Sequence, residues 1–279
     1  MAKFELDLTN KVVIITGAGG VICGGIANEL ATCKAKIALL DINFDAANKV
    51  AEEIASKGGT AKAYKANVLE KASLEEARDK IEKDFGTCDI LINGAGGNNP
   101  RATTSNEYCK VGETYEKDFF ALDDSGVKFV FDLNFLGTFL PTQVFAKDML
   151  GKKGCSILNI SSMNAFTPLT KIPAYSGAKA AVSNFTEWLA VHFAPSGIRV
   201  NAIAPGFFVT NQNRGLLFNE DGTPTARTGK ILSATPMNRF GEIDELYGAV
   251  KLLLSEENAS FITGIVLPID GGFNAYSGV

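Results

Sequence analysis

A run of branched apolar residues that ends in a glycine cluster constrains the fold of this chain more than any other feature. Residues 11–16 have the sequence KVVIIT, and residues 17–20 continue as GAGG. A short β-branched run bounded by glycines predicts a strand buried in a parallel sheet. The apolar spacing of residues 22–31 then predicts a helix. The chain is therefore expected to begin with a strand, a tight turn and a helix.

The same alternation of strand and helix patterns continues to the end of the chain. Further strands are predicted at residues 36–41, 61–68, 89–93, 156–161, 198–203 and 264–269. Further helices are predicted at residues 46–57, 73–85, 129–150, 174–193 and 245–254. Ser73 and Glu76 have the spacing of a capping box at the start of one helix, and Pro141 is expected to kink another.

Strands that alternate with helices predict a parallel sheet with helices on both faces. No internal repeat, low-complexity tract or linker divides the 279 residues, and one α/β domain of this length is ordinary. We therefore predict an α/β fold with a doubly wound parallel sheet of the Rossmann type, as a single domain over residues 1–279.

The composition argues against several classes of partner. The net charge is −4 and no basic block occurs, so neither nucleic acid nor an anionic membrane is expected. The five cysteines form no C-x-x-C pair, which argues against disulfides and a metal site and favours a reducing cytoplasm. Residues 1–10 lack the features of a signal peptide, and no apolar stretch is expected to approach the roughly 20 residues that span a bilayer.

The first glycine turn is a candidate nucleotide site. Such a turn between a strand and a helix lets backbone N–H groups approach a pyrophosphate at the helix N-terminus. Asp41 closes the second predicted strand, at about the distance that the dinucleotide fingerprint requires. Its carboxylate can accept hydrogen bonds from ribose hydroxyls. The alternative is an ordinary tight turn followed by a surface aspartate.

Tyr175 and Lys179 are candidate catalytic residues, because in a helix they lie four positions apart on one face. A nearby ammonium group favours the phenolate and lowers the pKa of a tyrosine. Such a pair is also common on helix surfaces, so the surroundings matter. Asn93 and Ser162 follow predicted strands and Asn134 lies on the helix between them, where open α/β sheets bind ligands.

With these residues in place, the chain resembles the short-chain dehydrogenase/reductase family along nearly its whole length. The matching segments occur in the family order: TGAGGVICG at 16–24, NGAG at 93–96, Asn134, Ser162, YSGAK at 175–179, PG at 205–206 and DGG at 270–272.

The resemblance implies a catalytic role for four residues. Tyr175 exchanges a proton with the substrate oxygen, and Ser162 hydrogen-bonds that oxygen. Lys179 lowers the pKa of Tyr175 and binds the nicotinamide ribose. Asn134 fixes a water that links Lys179 to solvent. A homotetramer that binds a small-molecule substrate is the family expectation.

The resemblance also implies a cofactor site. Its predicted residues are Gly17, Gly19, Gly20, Val21, Ile22, Asp41, Asn67, Val68, Asn93, Ala95, Gly96, Tyr175, Lys179, Pro205, Gly206 and Thr210. NAD is predicted over NADP, because Asp41 would repel a 2′-phosphate and neither Gly24 nor Ile42 supplies an arginine. The family usually has glycine at the positions of Val21 and Cys23. We therefore expect these side chains to displace the diphosphate path, and Cys23 to line the cofactor site.

A narrower resemblance is to the sugar-acid reductases known as D-mannonate oxidoreductases or fructuronate reductases. It rests on the segments GGNNPRATT at 96–104, MNAFTPLT at 163–170, PGFF at 205–208 and TNQNRGLLFNED at 210–221. Gluconate 5-dehydrogenases and polyol dehydrogenases share the catalytic residues and stay open as alternatives. A non-catalytic redox sensor would not need Ser162, Tyr175 and Lys179, and an enzyme acting on steroids or fatty acyl groups would need a less polar lid.

The substrate side of the site is predicted from two segments. Residues 98–128 are longer than the usual family connection and contain aromatic residues, which favours an ordered lid. Arg101 or Arg214 is predicted to bind a substrate carboxylate, since a guanidinium pairs with it bidentately. The alternative is that both are solvated surface charges. Asn98, Asn99, Asn164 and Asn211 are predicted to bind substrate hydroxyls, next to Ser162 and Tyr175.

Overall fold

Seven parallel strands form the centre of the computed structural model, which describes residues 5–210 and 213–278. The strands are β1 Val12–Thr16, β2 Lys36–Asp41, β3 Thr60–Lys65, β4 Ile90–Asn93, β5 Ser156–Ile160, β6 Arg199–Pro205 and β7 Val266–Ile269. Their order is β3-β2-β1-β4-β5-β6-β7, and every neighbouring pair is parallel. The predicted doubly wound fold is confirmed. The winding direction reverses between β1 and β4, which is where open α/β sheets bind ligands.

Ten α-helices connect or flank these strands. They are α1 Val21–Thr32, α2 Phe44–Ser56, α3 Lys71–Asp84, α4 Asp124–Phe131, α5 Gly137–Phe145, α6 Pro173–Phe193, α7 Arg214–Leu217, α8 Ala226–Ser233, α9 Tyr247–Leu254 and α10 Glu256–Ala259, counted over the described residues.

Two hydrophobic cores lie on opposite faces of the sheet, and β1 contributes to both. Val13 and Ile15 belong to the core that includes residues of α1, α2 and α9. Val12 and Ile14 belong to the core that includes residues of α3, α5 and α6. Successive side chains of a strand point to opposite faces. A strand covered on both faces must therefore be apolar throughout, as the first segment is.

The predicted end of β3 and the predicted cap of α3 are wrong, and the last strand begins at Val266 rather than at residue 264. β3 ends at Lys65 rather than at residue 68, because its partner β2 ends opposite it at Asp41. α3 begins at Lys71, and its first turn has no side-chain cap. The Ser73 hydroxyl instead accepts the backbone N–H of Asn67 at 3.0 Å, so it holds the preceding loop and is not free to cap the helix.

The helical run Asp124–Met149 begins before the predicted residue 129 because Asp123 caps it, accepting the N–H groups of Ser125 and Gly126. A π-helical turn, Asp132–Leu136, separates α4 from α5 and lies ahead of Pro141, where the irregularity was expected. By length and composition this run could cross a membrane, contrary to expectation. Half of its apolar window is buried inside the fold, where α4 packs against α6 and α5 against α3.

Candidate active site

Four predicted catalytic residues come from three elements that meet at the carboxyl end of the sheet. Ser162 follows β5, Tyr175 and Lys179 lie in the first two turns of α6, and Asn134 lies in the π-helical turn. Ser162, Lys179 and Asn134 are buried, and Tyr175 is half-buried. The Ser162 hydroxyl is hydrogen-bonded to the Tyr175 hydroxyl. Segments that are far apart in the sequence therefore bring their side chains into one compact group.

Lys179 is held beneath Tyr175. Its ammonium donates a hydrogen bond to the Ile160 carbonyl at 2.8 Å and lies 5.7 Å from the centroid of the Tyr175 ring. Burial lowers the pKa of Lys179 from 10.5 to about 8. Gly96 lies directly against this group, since a Cβ there would be 3.2 Å from Nζ of Lys179 and 2.7 Å from Oδ1 of Asn134. A side chain at position 96 would thus push the turn away from the lysine.

The prediction that Lys179 lowers the pKa of Tyr175 stays a prediction. Burial raises the pKa of Tyr175 above its ordinary value of 10.0, and only the hydrogen bond from Ser162 opposes that rise. The ammonium faces the tyrosine ring and bonds to a backbone carbonyl, so it does not stabilise the phenolate directly. Tyr175 is therefore protonated at neutral pH and has a proton to donate.

Asn134 joins the π-helical turn to the turn after β4. Its Nδ2 donates to the carbonyls of Gly97 and Val130, at 2.8 and 2.7 Å, and its Oδ1 accepts the N–H of Gly97 at 3.2 Å. The side chain therefore holds these two backbone segments together. Its predicted part in a water link to Lys179 stays a prediction.

The turn after β1 has the geometry of a phosphate cradle. Gly17 has a φ of +64°, and a Cβ there would be 2.8 Å from the Cα of Ala95. A Cβ at Gly19 would be 2.6 Å from the Cβ of Ala46. Gly20 precedes α1, whose first turn has neither a side-chain cap nor an acidic residue. The first backbone N–H groups of α1, from Val21 onward, are thus available to an anion, as a dinucleotide requires.

Asp41 is placed to bind a ribose. One carboxylate oxygen accepts the N–H of Gly19 at 2.9 Å, and the other accepts the N–H of Asn43 at 2.8 Å. Because each ionised carboxylate oxygen has two lone pairs, both can accept a further hydroxyl. Asp41 is partly exposed, so its carboxylate is accessible from the cleft. The glycine turn and Asp41 together fit the adenosine half of a nicotinamide dinucleotide.

Cys23 does not line this cradle, and the expectation that it would is wrong. Its side chain is 4% exposed and belongs to the core that includes residues of α1, α2 and α9. Burial raises the pKa of the Cys23 thiol to about 12, so the group is a neutral apolar filler. Val21, by contrast, is an exposed first residue of α1. Its predicted effect on the diphosphate path stays a prediction.

The other predicted cofactor residues lie around the same edge. Ala95 and Gly96 follow β4, and Asn67 and Val68 follow β3. Asn93 is 1% exposed and donates to Thr142 and Asn159, so its side chain supports the turn from below rather than facing the cleft. The remaining positions are Ile22, the second residue of α1, Pro205 at the end of β6, Gly206, and Thr210, whose N–H donates to Asn213.

The predicted substrate residues are less closely grouped. Asn164 lies two residues after Ser162, is 5% exposed and has an Oδ1 without a partner. Arg101 bonds to Ser125 at 3.0 Å and pairs with Asp123 at 3.4 Å. Arg214 is exposed and lies 5.8 Å from the Phe218 ring centroid.

The asparagines predicted to bind substrate hydroxyls differ in their surroundings. Asn98 bonds to Thr103. Asn99 caps the short 3-10 helix Pro100–Ala102. Asn211 lies outside the described residues.

Two distant segments meet above the site, a feature that sequence reasoning missed. The N–H of Thr104 donates to the Lys171 carbonyl at 2.9 Å, which ties residues 98–123 to the loop ahead of Tyr175. Lys230 of α8 pairs with Glu107 at 2.8 Å, across 123 positions of sequence. No local pattern marks a pair this far apart. The segment after β4 is therefore tied both to the loop ahead of Tyr175 and to α8, and its role as an ordered lid stays a prediction.

Comparison with known proteins agrees with this geometry. The family model for short chain dehydrogenase matches residues 11–220. An uncharacterised oxidoreductase of Haemophilus influenzae is 66% identical over 275 residues, covering 98% of this chain and 96% of that protein. An uncharacterised oxidoreductase of Bacillus subtilis, UxuB, is 50% identical over 280 residues, covering 100% of both chains.

A solved structure extends this similarity. It is a candidate D-mannonate oxidoreductase from Haemophilus influenzae with bound NAD, 65% identical to this chain. The two structures superpose with a TM-score of 0.95 over 98% of each chain. The family predicted from the catalytic segments is confirmed: this chain belongs to the short-chain dehydrogenases, oxidoreductases that act on CH–OH groups with NAD(P).

Proposed function

We propose that this protein is an NAD-dependent sugar-acid oxidoreductase that interconverts D-fructuronate and D-mannonate. The observation that carries the chemical part is the group of buried Ser162 and Lys179 with half-buried Tyr175, beside a dinucleotide cradle. Similarity to an NAD-bound candidate D-mannonate oxidoreductase supports the substrate. The whole chain, residues 1–279, is proposed to act as one cofactor-binding and catalytic unit.

In this proposal Tyr175 transfers the proton at the substrate oxygen. Burial keeps its hydroxyl protonated, so it can donate to a carbonyl oxygen that gains negative charge during reduction. Ser162 hydrogen-bonds the same oxygen and fixes its position. Lys179 adds a nearby positive charge and binds the nicotinamide ribose, while Asn134 holds the turn over it. The nicotinamide cofactor, when bound, supplies or accepts the hydride.

Different groups of residues are proposed to bind different parts of the dinucleotide. Gly17, Gly19, Gly20, Val21 and Ile22 hold the diphosphate at the start of α1. Asp41 binds the adenosine ribose and disfavours a 2′-phosphate, so NAD is preferred to NADP. The residues after the other strands then enclose the adenine and nicotinamide ends: Asn67, Val68, Asn93, Ala95, Gly96, Pro205, Gly206 and Thr210.

The substrate carboxylate is proposed to bind Arg101 or Arg214, each of which borders a segment over the cleft. Arg214 has no ion pair among the described residues, whereas Arg101 already has Asp123 as a partner. Arg214 is therefore the better placed of the two. Asn164, with an unpartnered buried oxygen beside Ser162, and Asn98 are proposed to bind hydroxyls.

A substrate panel tests this function directly. Purified protein is assayed with NADH and with NADPH against D-fructuronate, 5-keto-D-gluconate, an uncharged ketose and a 3-ketoacyl thioester. We expect the highest kcat/KM with NADH and D-fructuronate. A preference for 5-keto-D-gluconate or for the ketose would instead assign the protein to the gluconate 5-dehydrogenases or polyol dehydrogenases. Cofactor binding without turnover on any substrate would favour a redox sensor.

The protein is also proposed to be a cytoplasmic homotetramer. Five aromatic side chains make a continuous series of ring contacts on α5, α6 and the preceding π-helical turn: Phe135, Phe139, Phe185, Trp188 and His192. Trp188 is 56% exposed in the single chain. An exposed aromatic surface of this kind is typical of a protein interface. Light scattering of the purified protein measures the mass of the assembly.

A further inference from the structure

The two glycine turns of the cofactor site, after β1 and after β4, are interlocked. The Thr16 hydroxyl accepts the N–H groups of Gly94 and Ala95, at 3.1 and 3.3 Å. From the other side, Gly17 approaches Ala95 so closely that a Cβ would lie 2.8 Å from the Ala95 Cα. A displacement of the second turn would therefore be transmitted to the first, and so to the start of α1.

Cys23 and Gly94 meet at the centre of this contact. Cys23 is the third residue of α1 and is buried, with its sulfur directed at Gly94. A Cβ built on Gly94 would overlap the Sγ of Cys23 and would lie 3.0 Å from the Thr16 carbonyl oxygen. The backbone of Gly94 is not in the left-handed region. Glycine is therefore required at position 94 for space, not for conformation.

We infer that Cys23 and Gly94 form a compensating steric pair that sets how closely α1 approaches the turn after β4. The thiol fills the volume that a side chain at position 94 would otherwise occupy. A glycine at position 23 would leave that volume for a side chain on the opposite turn. The pair thus allows a side chain in α1 without displacing the helix from the sheet.

The contact between Cys23 and Gly94 affects both the diphosphate end and the nicotinamide end of the cofactor site. Gly20 and Val21, at the diphosphate end, lie in the same turn of α1 as Cys23. Gly96, two residues after Gly94, lies against Lys179 and Asn134 at the nicotinamide end. A clash between positions 23 and 94 would therefore move both ends, and it would weaken cofactor binding more than it alters the chemistry.

A double-mutant cycle tests the pair, with the dissociation constant of NADH as its readout. Gly94→Ala should raise that constant by about tenfold or more, a loss typical of overpacking a close contact. Cys23→Ala alone should change it little, because only the sulfur is removed. The double variant Cys23→Ala with Gly94→Ala should bind NADH within about threefold of the native protein, since the Sγ that blocked the added Cβ is gone.

Cys33→Ala is the matched control, because Cys33 is a second buried thiol at the other end of α1 and does not contact Gly94. Combined with Gly94→Ala, it should give no rescue. NADH fluorescence titration and the Tm of the cofactor-free protein are measured for each variant.

Native affinity in Gly94→Ala, failure of the Cys23 double variant to rescue, or equal rescue by Cys33→Ala would each overturn the inference. If Gly94→Ala does not fold, the double variants alone decide. The cycle uses only the nicotinamide cofactor of the family, so its result is independent of the sugar-acid substrate.

Discussion

The environment of Lys179 explains why its ammonium group loses a proton more readily than that of an exposed lysine. The side chain is 4% exposed and has one carbonyl, that of Ile160, as its hydrogen-bond partner. Desolvation favours the neutral amine, so the pKa falls to about 8. The group therefore stays mostly cationic at neutral pH but loses its charge within a mildly alkaline range.

This pKa predicts a specific dependence of stability on pH. The folded chain has a Lys179 pKa of about 8, against an ordinary value of 10.5. Between these values the unfolded chain binds more protons, so the free energy of unfolding should rise with pH. Native protein should gain up to about 3 kcal/mol relative to Lys179→Met across that window. Urea unfolding of both proteins at a series of pH values measures this difference, and parallel profiles would contradict it.

Asp41 predicts the cofactor preference. A carboxylate at the end of β2 accepts ribose hydroxyls and repels a 2′-phosphate, so the native protein should have a higher kcat/KM with NADH than with NADPH. Asp41→Asn removes the charge and leaves one acceptor for the N–H groups of Gly19 and Asn43, and it should narrow that ratio without changing the KM of the substrate. A native preference for NADPH would show that Asp41 does not have this role.

Individual site residues could be predicted from the sequence where a residue type occurs in a fixed motif and has one chemical use there. Tyr175, Lys179, Ser162 and Asn134 could be predicted on that basis, and they do lie together. The pKa direction of Tyr175 could not, because it depends on burial and on where an ammonium points. The fit between Cys23 and Gly94 likewise depends on a contact between two elements.

The π-helical turn is the element that brings Asn134 into the site. The Thr138 hydroxyl donates to the Asn134 carbonyl at 2.9 Å, and the Thr142 hydroxyl donates to the Thr138 carbonyl at 2.8 Å. Thr142 in turn accepts a hydrogen bond from Asn93 at 2.9 Å. A buried polar chain thus links the end of β4 to the turn that carries Asn134, which makes Thr138 a positioning residue in our account.

Thr138→Val should lower kcat by about tenfold, a loss consistent with misplacing a catalytic group, while the dissociation constant of NADH stays unchanged. Thr138→Ser keeps the hydroxyl and should restore kcat. Thr235→Val is the control, because the buried Thr235 hydroxyl makes the same type of bond at the end of α8, to the Ile231 carbonyl at 2.8 Å, and is not part of this polar chain. It should lower the Tm but not kcat. Equal losses of kcat in both valine variants would show that Thr138 only stabilises the fold and does not position Asn134.

Element boundaries were predictable where the apolar pattern and a partner strand agree, as in β1 and β2. They were not predictable where a neighbour decides them. β3 stops opposite the end of β2, and α3 begins without a side-chain cap because Ser73 is engaged by Asn67. The π-helical turn has no propensity signal of its own, since it depends on the packing of α4 against α6 and α5 against α3.

The whole molecule places two long segments over one edge of the sheet. The doubly wound order follows from the alternation of elements, so the location of the cleft could be predicted. The ion pair between Glu107 and Lys230 could not, because the two residues are 123 positions apart. Lys230 is exposed and Glu107 partly so, and the pair should contribute little to stability. Its consequence is that the segment after β4 is tied to α8.

The charge on these segments predicts substrate specificity. Arg214→Met should raise the KM for a sugar acid strongly, by tenfold or more if a charge-assisted hydrogen bond to the carboxylate is lost. Arg101→Met should have a smaller effect, since Arg101 is already paired with Asp123. The KM for an uncharged ketose and the dissociation constant of NADH should not change. Unaltered kinetics in both variants would remove the carboxylate argument.

The central claim is that Tyr175 is the proton donor of an NAD-dependent reduction, and Tyr175→Phe tests it most directly. The variant keeps the ring and loses only the hydroxyl, so NADH should bind with native affinity. The rate of NADH oxidation with the best substrate, measured at saturating concentrations of both, should fall by about 100-fold or more. A variant that binds NADH normally and retains more than about a tenth of the native kcat would contradict the account.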